Sequence, residues 1–213
     1  PLFDEYYYIG QGSKPVLDGK WYEAEPIWVT VEKAGLKAMT MFWPASEAKI
    51  MGYRPTEYFV YDGSIKHDDR IKQVLSWIDY PAEKRPSFIS LYFSHTDSYG
   101  HRYGPDSDKI KEAIKEMDRT IGVLIDGLKE RQLLDQANIM LVSDHGMTPI
   151  YSDSTIYLDD YIDMGEVTMI DWTPVSSIIP HENEANVLSK LKNAHKKMNA
   201  HKKGEAPKRY HYR

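Results

Sequence analysis

Apolar positions along the first 142 residues fall into two patterns, short runs and periodic stretches. The short runs are rich in β-branched and aromatic residues, and such runs predict buried strands of a parallel sheet. They cover 36–43, 87–93 and 138–142, with a further extended run at 58–61. Between the runs, apolar residues recur at spacings of three and four, which predicts helices over about 26–34, 68–77 and 107–130.

The order of these elements predicts an α/β fold with a mostly parallel sheet and helices on both faces. The strand 87–93, the helix 107–130 and the strand 138–142 follow one another as a crossover unit. The two strands of such a unit run parallel, so their carboxyl ends lie at the same edge of the sheet. Ligands of open α/β sheets bind at that edge. We therefore expect the chemistry of this protein just after these two strands.

One polar cluster follows each of the two strands. The first motif is Asp97-Ser98-Tyr99-Gly100-His101, and the second motif is Ser143-Asp144-His145-Gly146. Carboxylates and imidazoles together are the ligands of zinc and similar divalent metals. Asp97 and His101 can reach one metal from a single helical turn, which sets such residues about 5–6 Å apart, or from a tight loop at Gly100. Asp144 and His145 are adjacent and can serve one metal or straddle two.

The ligand count leaves the number of metals open. Four protein ligands complete one zinc shell, but a catalytic zinc site keeps one position free. A two-metal site that clamps the oxygens of a phosphoryl group needs more than four protein ligands. The sequence therefore predicts either a single metal or further ligands outside this chain.

Composition narrows the classes of function. The chain has no cysteine, so disulfides and thiolate metal sites are excluded, and any metal is held by His and carboxylates. The net charge of −5 argues against a duplex nucleic acid as partner, because a domain-wide basic surface is missing. Lys and Arg concentrate in 190–213, which we interpret as a solvated helix face and its flank. No apolar run approaches the roughly 20 residues of a membrane span, and no signal peptide is visible.

The two ends of the chain show weaker patterns. Residues 1–24 are aromatic-rich and irregular, which predicts a loop that wraps the surface. The C-terminal third is predicted to form a short helix at 157–162, strands at 167–170 and 175–179, a basic helix at about 184–197, and a final strand at 210–213. The chain opens on Pro1 without an initiator Met, so we expect an internal piece or a processed product.

Five segments carry motifs specific enough to compare with known families. They are 96–105 with the helix after it, 142–147, Glu25-Pro26-Ile27-Trp28-Val29-Thr30, Phe42-Trp43-Pro44-Ala45-Ser46, and Pro207-Lys208-Arg209-Tyr210-His211-Tyr212. In the order in which they occur along the chain, these segments closely resemble the nucleotide pyrophosphatase/phosphodiesterase family of the alkaline phosphatase superfamily. The resemblance covers essentially the whole chain. The resemblance implies an alkaline-phosphatase-like fold and a hydrolase with two Zn²⁺ ions that forms a covalent Thr intermediate. It also implies an extracytoplasmic location.

The resemblance implies a metal-binding role for both motifs. Asp97 and His101 correspond to ligands of one zinc ion, and Asp144 and His145 correspond to ligands of the other. His95 is interpreted as an outer or surface residue, pointing away from Asp97 if the preceding strand continues.

The resemblance also implies a nucleotide pocket. Trp43 and Tyr61 correspond to the aromatic positions that line this pocket in the family, with Tyr61 stacking on the base. Stacking of this kind contributes roughly 1–3 kcal/mol per base. From the residues alone, core packing is the favoured interpretation of both side chains.

Some residues of the family are missing from this chain. The nucleophilic Thr and one Asp ligand correspond to positions before Pro1, and the last zinc-binding His to a position after Arg213. His211 matches a family position that does not bind metal. We therefore expect residues 1–213 to be the central part of one phosphodiesterase catalytic domain, inactive by itself and a weak zinc binder.

Three functions follow from these interpretations. The leading one is hydrolysis of nucleotide phosphodiester or pyrophosphate bonds by the intact protein, with a nucleotide or another phosphodiester small molecule as substrate. The second is cleavage of a phospholipid-type phosphodiester, or another reaction of the superfamily. The third is a non-catalytic metal-binding module, because neither metal shell is complete within the chain.

Overall fold

A three-stranded parallel sheet forms the centre of the first part of the molecule. The computed structural model describes residues 14–171 and 175–210. The strands are β1 (Ala38–Met41), β2 (Glu57–Phe59) and β3 (Phe88–Leu91), in the order β2-β1-β3. Both neighbours run parallel to β1, and Met39 pairs with Glu57 on one side and with Ile89 on the other. All four residues of β1 are buried, as the continuous apolar run predicts.

Helices cover both faces of this sheet. The helices of this part of the molecule are α1 (Lys14–Leu17), α2 (Ile27–Lys33), α3 (His67–Ile78), α4 (His95–Tyr103) and α5 (Asp108–Glu130). Ala38 of β1 packs in one apolar cluster with Trp28 and Val29 of α2. Met39 and Met41 pack in another cluster with residues of α3. Successive strand residues point to opposite faces, so these two clusters confirm the predicted α/β fold.

The helix ends follow local sequence signals. Ser107 caps α5, because its hydroxyl accepts a hydrogen bond from the Ile110 amide at 3.3 Å. Pro26 precedes α2, and Gly35 follows it with φ of +74°, a conformation that Gly adopts without strain. The loop predicted for residues 1–24 is wrong where it can be checked, since α1 and a 3₁₀ turn at Gly19–Trp21 lie there. Residues 1–13 lie outside the described part.

The predicted strand at 138–142 is not formed. This segment has no regular secondary structure and pairs with none of the three strands, and Met140 and Leu141 are 85 % and 80 % exposed. An apolar run becomes a strand only where a neighbouring edge accepts its N–H and C=O groups. Among the described residues, no strand pairs with this segment. The crossover therefore stops after α5, and the second motif follows an irregular segment instead of a strand.

Residues from Ile150 onward form a separate compact unit. It contains an antiparallel pair, β4 (Val167–Met169) and β5 (Ile178–Pro180), and the helix α6 (Glu184–Leu191). Its core consists of Ile162, Val167, Val187 and Leu191. The strand pair confirms the prediction.

Other predictions for this unit need correction. The predicted helix at 157–162 is only a 3₁₀ turn at Leu158–Asp160, and α6 stops six residues before its predicted end. Asn193 follows α6 with φ of +68°, which breaks the helical path. Of the final strand predicted at 210–213, only Tyr210 is described, and it ends a 3₁₀ turn at Lys208–Tyr210. Residues 211–213 lie outside the described residues, as do 172–174 between the strands. Among the described helices, none is long and apolar enough to cross a membrane.

Candidate functional site

The first motif lies on helix α4, one short turn after strand β3. Asp97 and His101 are four residues apart on this helix, so their side chains lie on the same side. Asp97 Oδ1 and His101 Nε2 are 3.3 Å apart. Of the two geometries that the sequence allowed, the structure therefore shows the helical one. His95 begins the helix instead of continuing the strand.

The second motif comes to the same place from an irregular segment. His145 Nε2 lies 3.8 Å from Asp97 Oδ1 and 3.6 Å from Asp144 Oδ2. Two local contacts shape the bend: the His145 amide donates to Asp144 Oδ1 at 3.0 Å, and the Ser143 hydroxyl donates to the His145 carbonyl at 2.6 Å. The structure thus brings the two motifs together even though the strand before the second one is missing.

A close packing contact joins the motifs behind the polar groups. A Cβ atom on Gly100 of α4 would lie only 2.5 Å from Met147 Sδ. Gly100 is buried, and its missing side chain leaves room for Met147. The glycine in the first motif therefore serves the approach of the second motif and not a loop conformation.

The electrostatics of the cluster favour a cation. Asp97 is 38 % exposed, but its Oδ1 atom is buried and has no hydrogen-bond partner among the described residues, although two imidazole nitrogens lie within 3.8 Å. The pKa of His145 is raised, first by its hydrogen bond to the Gly146 carbonyl and then by the charges of Asp144 and Asp97. An unpartnered buried carboxylate oxygen facing two imidazoles fits a divalent metal such as zinc.

The cluster is not a complete metal shell. Within residues 14–171 and 175–210, no three His, Asp or Glu side chains converge closely enough to hold a metal ion. His101, Asp144 and His145 are all more than half exposed. The side chains present therefore fit a metal chemically, and the number of ligands stays below what two ions require.

The two predicted pocket aromatics lie in different surroundings. Tyr61 is 40 % exposed, and its hydroxyl is 2.7 Å from the Ser94 hydroxyl, directly before α4. Its ring meets Phe42 and Tyr92 edge-on at 5.5 Å and 6.1 Å. Trp43 is partly buried and packs against the apolar cluster that includes Trp28. Only Tyr61 is connected to the first motif by a described contact.

Sequence reasoning did not single out three residues that surround the site. The pKa of Tyr92 is raised, first by burial and then by the charges of Asp144 and Asp97. Arg70 is buried, donates to the Tyr92 carbonyl at 3.0 Å, and lies 4.8 Å from the Phe42 ring centroid. Ser94 holds Tyr61.

One signal for Arg70 was present in the sequence. It shares a helix face with Val74 and Trp77, so a buried charge was readable from its spacing. Ser94 and Tyr92 carried no such signal, because their roles depend on tertiary contacts.

Comparison with known proteins identifies the class to which this fold and cluster belong. The sequence profile described as "Type I phosphodiesterase / nucleotide pyrophosphatase" matches residues 2–213. The chain is therefore a member of the type I phosphodiesterase / nucleotide pyrophosphatase family, as the sequence resemblance predicts.

Particular relatives agree with this assignment. A venom phosphodiesterase of Macrovipera lebetinus is 44 % identical over 151 residues, which is 71 % of this chain and 18 % of the relative. The bis(5'-adenosyl)-triphosphatase enpp4 of Xenopus laevis is 35 % identical over 194 residues, or 91 % of this chain and 43 % of the relative.

A solved structure extends the agreement to the fold. An inactive variant of murine ectonucleotide pyrophosphatase / phosphodiesterase 5, in complex with AMP, superposes with a TM-score of 0.85 at 36 % identity. The match covers 92 % of this chain and 52 % of that chain. The chain thus spans about half the length of this structure, and less than half the length of the curated relatives above.

Proposed function

We propose that the intact protein is a zinc-dependent hydrolase of nucleotide phosphodiester or pyrophosphate bonds. The observation that carries this proposal is the buried Oδ1 atom of Asp97, which makes no hydrogen bond with the described residues and faces the imidazoles of His101 and His145. Membership of the family supports the reaction class. A buried carboxylate oxygen without a hydrogen bond costs about 1–3 kcal/mol, and a metal ion at this place would offset that cost.

Two zinc ions are proposed, one held by Asp97 and His101 and the other by Asp144 and His145. When bound, zinc supplies a Lewis acid that stabilises negative charge on phosphoryl oxygens and lowers the pKa of bound water. In the protein itself, Asp97 occupies the central place, because it is the only one of the four near both imidazoles. The carboxylates of Asp97 and Asp144 would offset part of the positive charge of the two ions.

Tyr61 is proposed to stack on the base of the nucleotide, and Trp43 to line the pocket. Tyr61 offers an exposed ring whose edges are fixed by Phe42 and Tyr92 and whose hydroxyl is held by Ser94. A ring held on three sides loses little freedom when a base stacks on it. The AMP complex of the murine relative is consistent with a nucleotide ligand.

The chain is proposed to be the central part of one catalytic domain, with the Thr nucleophile and the remaining ligands outside residues 1–213. An extracytoplasmic location is proposed as well. The relatives named above as a venom enzyme and an ectonucleotide pyrophosphatase support it.

The test uses the full-length protein and a chromogenic nucleotide phosphodiester. Asp97→Asn keeps the size of the side chain but removes the charge, so kcat/KM should fall by at least about 100-fold, the upper end of losses seen when only outer contacts of a metal site are removed. The matched control is Asp126→Asn, which removes an exposed acid paired with Lys129 on α5 and should leave turnover unchanged. Equal turnover in both variants and wild type would refute the proposal.

A second substrate separates the proposal from the phospholipid alternative. The same wild-type protein is assayed on a lysophospholipid at equal concentration. A higher kcat/KM for the lipid would support the phospholipid alternative and contradict the proposed nucleotide substrate. A higher kcat/KM for the nucleotide supports the proposed stacking role of Tyr61.

A further inference from the structure

Three polar side chains from three helices meet beside the first motif. Glu116 of α5 places Oε1 3.3 Å from His67 Nδ1 of α3 and Oε2 3.0 Å from His95 Nε2 of α4. The two imidazole rings are 4.7 Å apart and nearly perpendicular. Their side chains are only 15 % and 16 % exposed. One carboxylate therefore connects the first residues of α3 and α4 to the middle of α5.

This cluster is costly compared with an apolar contact at the same place. Burying a polar ring is unfavourable unless its nitrogen finds a partner. Both ring nitrogens lie within ion-pair distance of the same carboxylate, although His95 Nε2 makes no hydrogen bond of good geometry among the described residues. Burial lowers the pKa of His67, so its ring is neutral at pH 7 and offers an N–H group instead of a charge. Each carboxylate oxygen of Glu116 faces one ring, so a rotation of α4 would carry His95 away from Glu116.

The cluster lies directly behind the candidate metal ligands. His95 is the first residue of α4 and stands two positions before Asp97. The ring of Tyr99, one turn later, packs on His95 with centroids 4.5 Å apart. Because α4 has only nine residues, a rotation about its axis would move Asp97 and His101 together. A contact that fixes His95 therefore also influences the direction of the Asp97 and His101 side chains.

We propose that Glu116 is a positioning residue of the phosphodiesterase site, holding α4 through His95 in the rotation that presents Asp97 and His101 to zinc. The inference rests on the proposed function, because it concerns the same ligands. Contacts one layer outside metal ligands change metal affinity by about 10- to 100-fold. Glu116 acts through the helix and not on a ligand directly, so a loss of about tenfold is expected at the lower end of that range.

The test measures the zinc affinity of the full-length protein by competition with a chromophoric chelator. Glu116→Ala should weaken zinc binding about tenfold. Glu116→Gln can still bridge both rings, with its oxygen accepting from one and its amide donating to the other, so it should recover most of the affinity. Glu112→Ala is the control: it removes an exposed acid one turn earlier on α5, paired only with Lys109 among the described contacts. Circular dichroism verifies that each variant is folded.

A double-mutant cycle locates the effect. His95→Phe keeps a ring of similar size but removes the nitrogen that faces Glu116, so its loss in zinc affinity should not add to that of Glu116→Ala. In turnover assays both variants should lower kcat more than they raise KM, since the base pocket at Tyr61 is untouched.

Each negative result has its own meaning. Unchanged zinc affinity in Glu116→Ala, or an equal loss in Glu112→Ala, would overturn the positioning role while leaving the proposed function intact. A wild-type protein that binds no zinc and turns over no nucleotide would overturn the proposed function, and the positioning role with it.

Discussion

Helix α4 and the segment 138–148 each supply half of the candidate site, yet the protein holds them in opposite ways. Helix α4 follows a paired strand, rests on α5 and is linked to α3 through Glu116. The segment 138–148 has no regular structure, and four consecutive apolar side chains, Ile139, Met140, Leu141 and Val142, are at least 47 % exposed. Its described contacts with α4 are those of Met147 with Gly100 and of His145 with Asp97.

The difference shows what a site requires beyond the right residues. The two motifs carry the same ligand types after similar apolar runs. Position is precise where tertiary contacts surround the motif, and it depends on a few contacts where they do not. In this molecule Asp97 is held by the fold, whereas Asp144 and His145 are held by their own local bend.

The largest expected effect tests whether the two regions differ in packing. Trp77 is fully buried below the sheet, and its Nε1 donates to Glu57 at 2.8 Å, so Trp77→Ala should destabilise residues 1–213 by about 3–5 kcal/mol. Leu141→Ala, in the exposed segment, should change stability by less than about 0.5 kcal/mol. Urea unfolding followed by circular dichroism measures both. A cost above about 1 kcal/mol for Leu141→Ala would show that the segment is packed after all.

A smaller effect is expected at the contact that joins the regions. Gly100→Ala puts a methyl group onto Met147, and overpacking of this kind costs about 1–3 kcal/mol, with the flexible Met favouring the lower end. The second motif should be displaced, so the variant should also bind zinc more weakly. The thermal midpoint and zinc affinity are the measurements.

The rescue variant sharpens this test. Met147→Ala makes room for the new methyl group, so Gly100→Ala with Met147→Ala should cost less than the sum of the two single variants. Additive costs would mean that Gly100 and Met147 do not touch in solution.

The sequence was informative wherever a local pattern and its tertiary partner agreed. The periodicity of α5 placed that helix within two residues of its observed start, and the buried run 36–43 contains β1. The run 138–142 has the same apolar character but pairs with no described strand, and pairing cannot be read from one strand alone. Of the candidate site, the sequence identified the two polar motifs as candidate metal ligands.

The contacts that hold these candidate ligands in place were not visible in the sequence. Glu116 lies 49 positions after His67 and 21 positions after His95 in the sequence, and it contacts both in the fold. No spacing rule connects positions so far apart, because it is the sheet and its crossover helix that bring them together.

The smallest expected effect is on the pKa values of two histidines. His145 lies in the segment 138–148, and His67 of α3 contacts Glu116 behind α4. The pKa of His145 is raised, first by the Gly146 carbonyl and then by Asp144 and Asp97, whereas the pKa of His67 is lowered, first by burial and then by the charge of His95. In metal-free protein, NMR titration of the ring protons should show His145 titrating above 6.5, the ordinary His value, and His67 below it.

The signs for stability are opposite. Protonated His145 favours the folded state, so its contribution is full below the unfolded-state pKa and is lost as pH rises through its folded-state pKa. Protonation of His67 opposes folding, so stability falls as pH drops below the unfolded-state value. Zinc binds neutral imidazole, so adding zinc should abolish the titration of His145 and leave that of His67 nearly unchanged. A zinc-insensitive His145 would remove it from the proposed ligands and leave the second motif as a packing partner of α4.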